Sequence, residues 1–345
     1  MGEHNHPEHG LSGLPEPATE KILYGPHEGF SSDLEKNLAL LRSRLSTPKL
    51  EFKAFTVGSL NPKKLVIAYL EGLARPRLLA RLIKKIEGLS LDQLAGTGQL
   101  ETLLKYFPRS PFPQFRATAR PDQAVNSLME GKFLLLLEGT PVTLAAPVSF
   151  FTFFARPDDQ DFNWLFRPFI RFLRLLAAGL AAFLPALYVA VISFHSYIIP
   201  VNFLIQLAES RAQVPFPPII EVIFLEIMVE LLREGALRFA PRLGAGPGIS
   251  AGILLGLAAI STGMVSCVTV VVSMVTLIAA LTLPAYDLGL TVRILKFTAL
   301  VFASLFGVLG LVVTASVTFA HLVTLESLGE PYFQPLITFK IGKNN

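Results

Sequence analysis

Glu226, Glu230 and Glu234 recur every fourth residue within the stretch Ile219 to Arg238. That spacing puts the three carboxylates on one face of a helix, and Phe224, Leu225, Ile227, Met228, Leu231 and Leu232 cover much of the rest. Carboxylates so close repel one another unless cations such as Arg233 and Arg238 offset them. An acidic stripe on an otherwise apolar helix is either a water-facing surface or a cation path. The remaining reactive residues do not converge. His4, His6 and His9 stand in a proline-bearing tail without the cysteines or carboxylates that complete a metal site. His195 and His321 fall at the ends of different apolar stretches, and the one cysteine, Cys267, lies inside an apolar block where it is a packing residue. There is no Gly-rich phosphate loop, no Ser/His/Asp set and no metal-ligand spacing. The expectation is therefore a protein that is not an enzyme and carries no metal or cofactor, with ion handling as its chemistry.

The elements that would position such a stripe are read from hydropathy. The 345 residues are 52% hydrophobic, with mean hydropathy +0.52, but two regimes meet near Arg171. Charges are frequent before that point, and apolar blocks with short polar joints follow it. Leu243 to Tyr286 holds no charged residue. Its apolar part, Gly248 to Leu283, would form a helix of roughly 54 Å, nearly twice the roughly 30 Å hydrocarbon core of a bilayer. It must fold back on itself, and Gly263 to Ser266 is the soft spot for the turn. Few soluble cores hold so many residues without a charge. The other spans are read as Leu173 to Phe194 and Phe297 to Leu322, the latter with Gly307 and Gly310 for close helix approach. Pro284 to Lys296 reads as a polar joint outside the membrane, at odds with the usual inward placement of positive charge.

The expected fold is thus an α/β N-terminal cytoplasmic domain followed by an all-α polytopic membrane domain of about four spans plus amphipathic helices. The divisions are 1–19, a disordered tail; 20–155, the α/β domain; 156–171, an interfacial linker; 172–325, the transmembrane domain; and 326–345, a C-terminal tail. Within the first domain, Ser32 caps a helix running to Leu45. Leu50 to Val57 and Leu65 to Leu70 are strands, Arg75 to Ile86 is a basic amphipathic helix, and Asp92 to Tyr106 and Ala124 to Glu130 are helical. Phe133 to Leu137 and Val142 to Ala146 form a hairpin. The aromatic runs Ser149 to Phe154 and Phe162 to Phe169 suit either a bilayer interface or domain packing. Arg167, Arg171 and Arg174 precede the first span and keep the soluble domain inside. The net charge of +4 with pI 9.1 is explained by such juxtamembrane residues and does not call for nucleic acid.

Several short motifs carry a resemblance. Tyr24-Gly25-Pro26 with Glu28-Gly29-Phe30, Asn37 to Leu45, Ser110-Pro111-Phe112-Pro113, Arg120-Pro121-Asp122, Glu138-Gly139-Thr140-Pro141, Leu184 to Ala190, Val214-Pro215-Phe216-Pro217 with Glu221, and Pro284 to Gly289 are similar to the A subunit of GerA-type spore germination receptors. Stage V sporulation protein AF is a near relative with the same pattern. Members of the family carry a further α/β subdomain ahead of the first motif, and this chain is expected to lack it. Arg120 follows alanine where members often have glutamate. The resemblance implies a multi-pass protein of the spore inner membrane that responds to nutrients beside a transporter-like B subunit and a lipoprotein C subunit. It also implies assembly into a homo-oligomeric, ion-conducting ring.

Physical reading adds a candidate pore lining. Gly248 to Gly263 is rich in small residues that let helices approach closely, within one subunit or around an axis. Branched residues between them can gate by dewetting. Ser250, Ile253, Leu254, Leu257 and Ser261 are the candidate lining, and Glu226, Glu230 and Glu234 the candidate cation-attracting mouth. A non-conducting scaffold for B and C subunits is the competing reading.

Overall fold

The computed structural model describes residues 28–156, 159, 162–236 and 246–334. The histidine-bearing tail and Tyr24-Gly25-Pro26 lie outside the described residues, as do the side chains of Ser250 and Ile253. The chain divides into two units, 1–163 with 322–345, and 164–321.

The first unit is built on a sheet of β1 (Leu50–Val57), β2 (Lys63–Leu70), β3 (Arg116–Thr118), β4 (Phe133–Leu137) and β5 (Thr143–Ala146). Its spatial order is β1-β2-β4-β5-β3, with every neighbouring pair antiparallel. Both faces are covered, so β4 is buried at every residue and reads as the unbroken run Phe-Leu-Leu-Leu-Leu. Leu134 and Leu136 meet α1 (Leu34–Arg44) and α4 (Pro121–Met129) on one face. Phe133, Leu135 and Leu137 meet α2 (Pro76–Glu87) and α3 (Thr97–Leu104) on the other. Asp33, not Ser32, caps α1, accepting from the amides of Glu35 and Lys36 at 3.1 and 3.4 Å. Arg120, buried, makes two bonds to Asp122 at 3.0 and 2.6 Å.

The segment expected as a C-terminal tail joins this unit through 334. A two-stranded turn, β6 (Glu326–Ser327) and β7 (Glu330–Pro331), packs Leu328 into the core beside Leu82 and Leu100. The Ser327 hydroxyl donates to the Gln114 carbonyl at 2.7 Å and accepts from the Val148 amide at 3.0 Å. Tyr332 is buried, and its hydroxyl donates to the Pro113 carbonyl at 2.7 Å. Phe150 of the aromatic run rests on Phe154 and Phe333, with ring centroids 5.0 and 5.9 Å away. The run Ser149 to Phe154 is thus domain packing, whereas Trp164, Phe166 and Phe169 are exposed.

The second unit is helical: α5 (Phe166–Phe194), α6 (Val201–Arg211), α7 (Pro218–Ala236), α8 (Gly246–Ser261), α9 (Cys267–Leu281), α10 (Tyr286–Phe306) and α11 (Val308–Thr324). Two of these, α5 and α10, are long and apolar enough to cross a membrane, and α9 and α11 are shorter apolar helices. The uncharged tract does turn where expected. Gly263 takes φ +65°, and Ser266 caps α9 by accepting from the Thr269 amide.

Side-chain contacts set the helix directions. Ala181 packs near Val292, and Ala186 to Ala190 near Ala299 to Ala303, so α5 and α10 run the same way. Tyr188 meets Thr269 while Ala181 packs near Ala279, so α9 opposes α5. Glu221 meets Ser266, and Glu226 and Arg233 share a cavity with Thr276 and Ala280, so α7 runs with α9. Leu225 packs with Ala259, and Gly252 faces Leu232, so α8 opposes α7.

Two sequence readings are corrected here. Pro284 to Lys296 is not a joint, because α10 begins at Tyr286 and continues through Arg293 and Lys296. Those cations can sit in an apolar helix because α7 supplies their counter-ions. Phe297 to Leu322 is not one span either. Gly307 breaks it at φ +60° and ψ −138°, a conformation closed to residues with a Cβ. The chain reverses so sharply there that a Cβ on Gly310 would overlap the Phe302 carbonyl oxygen. Hence α11 runs back against α10.

Candidate functional site

Two groups of buried polar residues lie along one seam of the helical unit. The first is organised by Glu221, which is fully buried in the first turn of α7. Pro217 and Pro218 start that helix in the conformation proline favours at a helix N-terminus. One Glu221 oxygen accepts from the Ser266 amide and from the Thr269 hydroxyl, both at 2.9 Å. The other pairs with Arg211 of α6 at 2.8 Å. Arg211 also donates to the Phe216 carbonyl at 3.2 Å, holding the Pro215-Phe216-Pro217 loop in place. The Tyr188 hydroxyl lies 2.9 Å from that of Thr269. A carboxylate at the N-terminus of α9 answers the unpaired amides and the positive end of its dipole. The Pro-Phe-Pro and Glu221 motif thus fastens α6 and α7 to the turn of the helical hairpin.

The second group lies one to three turns further along α7. Glu226 is 1% exposed, and its carboxylate accepts from Lys296 of α10 at 2.6 Å. Lys296 also donates to Glu230 at 3.1 Å. Glu230 is flanked by Arg233 at 3.4 Å and Arg293 at 3.5 Å. Between α5, α7, α9 and α10, Glu226, Arg233, Arg293, Lys296 and Thr276 line a cavity of about 10 Å³, roughly the volume one water requires. The second Glu226 oxygen and the Arg293 Nε line it without a hydrogen-bond partner among the described atoms. Charges removed from water in this way hold helices in register, and isolating one of them is costly.

The acidic stripe is therefore not a single water-facing surface. Glu226 and Glu230 turn onto Lys296 and its neighbours, and Glu234 alone of the three is exposed. Sequence reasoning missed Lys296 and Arg293 as partners. Their spacing of three on one apolar stretch against carboxylates four apart on another was the available signal. On α8, Gly252 and Gly256 face Leu232 and Val270 of the same chain, so the small-residue face packs internally. Leu254 and Leu257 point away, 68% and 61% exposed, and Ser261 is exposed beside them.

The chain thus combines an α/β unit with a helical unit that holds two bilayer-length apolar helices and a buried ion network. The family model for the Bacillus/Clostridium GerA spore germination protein matches residues 10–345. The chain belongs to this family. It is 35% identical over 93% of its length to spore germination protein A1 of Bacillus subtilis, covering 67% of that protein. To the membrane protein YfkQ of Bacillus subtilis it is 35% identical over 95% of its length, covering 64% of that relative. To GerQA of Bacillus cereus it is 36% identical over 92%, covering 63%. The chain thus spans about two thirds of the relatives it matches. A crystal structure of the N-terminal domain of the A subunit of the Bacillus megaterium germinant receptor GerK3 aligns with 35% of this chain and 97% of that one, at 28% identity and TM-score 0.30.

Proposed function

We propose that the chain is the A subunit of a nutrient-responsive spore germination receptor, embedded in the spore inner membrane and acting as a homo-oligomeric cation channel beside B and C subunits. It has no catalytic role of its own in this reading. Membership of the GerA family supports the receptor assignment. The helix directions support six crossings, by α5, α7, α8, α9, α10 and α11, in place of four. Their lengths run from about 22 Å for α9 to about 43 Å for α5 at 1.5 Å per residue, against a hydrocarbon core of about 30 Å. An even number agrees with the hydrogen bonds that return the chain after α11 to the domain that precedes α5. The exposed cations Arg167 and Arg171 at the start of α5 favour a cytoplasmic N-terminal domain.

The observation that carries the pore reading is the outward leucine face of α8. Gly252 and Gly256 are used inside the protomer, leaving Leu254, Leu257 and Ser261 to meet other copies or an axis, where rings of leucine gate by dewetting. Glu234 remains as the exposed acid for a cation-attracting mouth. Full-length protein in potassium-loaded liposomes should leak when Leu254→Ala or Leu257→Ala widens the constriction. Glu234→Gln should reduce the preference for cations over anions. Vesicles that stay sealed with both alanine variants would leave the chain a non-conducting scaffold for its partners. A stage V AF-like accessory channel gives the same leak without dependence on B and C subunits.

A further inference from the structure

The basic helix α2 has a role that the pore does not use. From Gly72 to Ile86 the chain holds five cations and no acid. Two of the five are committed within the domain. Arg75 pairs with Glu330, and Lys85 donates to the Leu104 and Lys105 carbonyls at 2.7 Å while lying over the Tyr106 ring. The other three, Arg77, Arg81 and Lys84, are exposed and pair with no acid among the described residues. Their spacing of four and three makes one stripe on the face opposite the buried Leu78, Leu82 and Ile86.

The stripe is tied to the end of the last helix. A Cβ on Gly329 would overlap the Arg81 guanidinium, and Arg75 holds Glu330, so the β6/β7 turn lies along α2. Gly329 lies only five Cα–Cα steps beyond Thr324, the end of α11. Extended chain of that length reaches at most about 17 Å. That distance is of the order of one headgroup layer, about 5 to 8 Å, plus the radius of a helix, about 5 to 6 Å. We infer that α2 lies on the membrane surface and binds anionic phospholipid headgroups through Arg77, Arg81 and Lys84. The inference rests on the membrane reading of α11. Its chemistry is that of a juxtamembrane basic segment, in which each cation strengthens docking by about fivefold and three together by about 100-fold.

The test uses the full chain with Cys267→Ser and a fluorophore on Ala80→Cys, an exposed position between Arg77 and Arg81. The protein is placed in nanodiscs of zwitterionic lipid or in nanodiscs containing phosphatidylglycerol, each doped with headgroup-nitroxide lipid. A second label, on Val301→Cys, faces outward from α10 and reports embedding through acyl-chain nitroxide. Quenching at Ala80→Cys is expected to rise about tenfold with phosphatidylglycerol and to fall with salt. It should be abolished in the Arg77→Ser, Arg81→Ser, Lys84→Ser triple variant. Equal quenching in both lipids with Val301→Cys still quenched would overturn the lipid assignment and leave the stripe to an acidic protein segment. Loss of quenching at Val301→Cys would overturn the membrane reading itself.

Discussion

Replacing Lys296 by methionine removes a cation that is 4% exposed and leaves its two carboxylate partners behind. Glu226 then stays buried without the Nζ at 2.6 Å, and Glu230 keeps only Arg233 and Arg293 at 3.4 and 3.5 Å. Breaking a buried pair by deleting one member costs about 3–5 kcal/mol, because the uncompensated charge cannot return to water. For a unit of this size that corresponds to a loss of about 10 °C in melting temperature. The pair taken as a whole contributes much less. Lys296→Met combined with Glu226→Leu removes both charges at similar volume, and the double variant should melt within about 1 kcal/mol of the parent. Circular dichroism melts of full-length protein in detergent measure both, and Glu226→Leu alone completes the cycle whose departure from additivity is the coupling energy. If the single and double variants lose equal stability, Lys296 acts through packing alone and the ion-latch account of the α7 and α10 contact is wrong.

Other perturbations give equally direct readings. Glu221→Ala strips the acceptor from the Ser266 amide and the partner from Arg211; a cost of at least about 2 kcal/mol should speed amide exchange at 266–270 by about 30-fold, and unchanged exchange there would deny Glu221 its role at the hairpin turn. Burial, and secondarily the Glu101 carboxylate, raises the Tyr332 phenol above its ordinary value of 10.0. Its contribution to stability is full below pH 10, where the phenol is protonated in both states, and is lost as pH rises further because the unfolded chain ionises first, by about 1.4 kcal/mol per pH unit. Tyr332→Phe should flatten that alkaline decline in guanidinium unfolding while costing about 1 kcal/mol at neutral pH. An unaltered decline would place its cause in other groups.

Much of the architecture follows from local pattern. Four strands of the five-stranded sheet, the basic amphipathic α2 and the fold-back at Gly263 to Ser266 are legible because periodicity, capping residues and charge-free length are properties of neighbouring positions, whereas the three-residue β3 is too short to show a period. The motif Pro215-Phe216-Pro217 with Glu221 was likewise visible, though its partners Arg211, Ser266 and Thr269 were not. Single-residue boundaries depended on details that pattern blurs, such as Asp33 capping α1 beside an equally plausible Ser32.

What the tertiary structure decided is which surfaces face which. Glu226 and Glu230 look like a solvated stripe until α10 brings Lys296 and Arg293 onto them. Those same cations look like a polar joint until the carboxylates neutralise them within a helix. Gly252 and Gly256 were consistent with packing between copies or within one, and the contacts with Leu232 and Val270 select the latter. Gly307 permitted a bend, but its left-handed backbone and the Phe302 carbonyl turn one apparent span into two. In each case the sequence specifies the chemistry of a face, whereas its partner, from 8 to 70 residues away, depends on helix directions that local pattern does not encode.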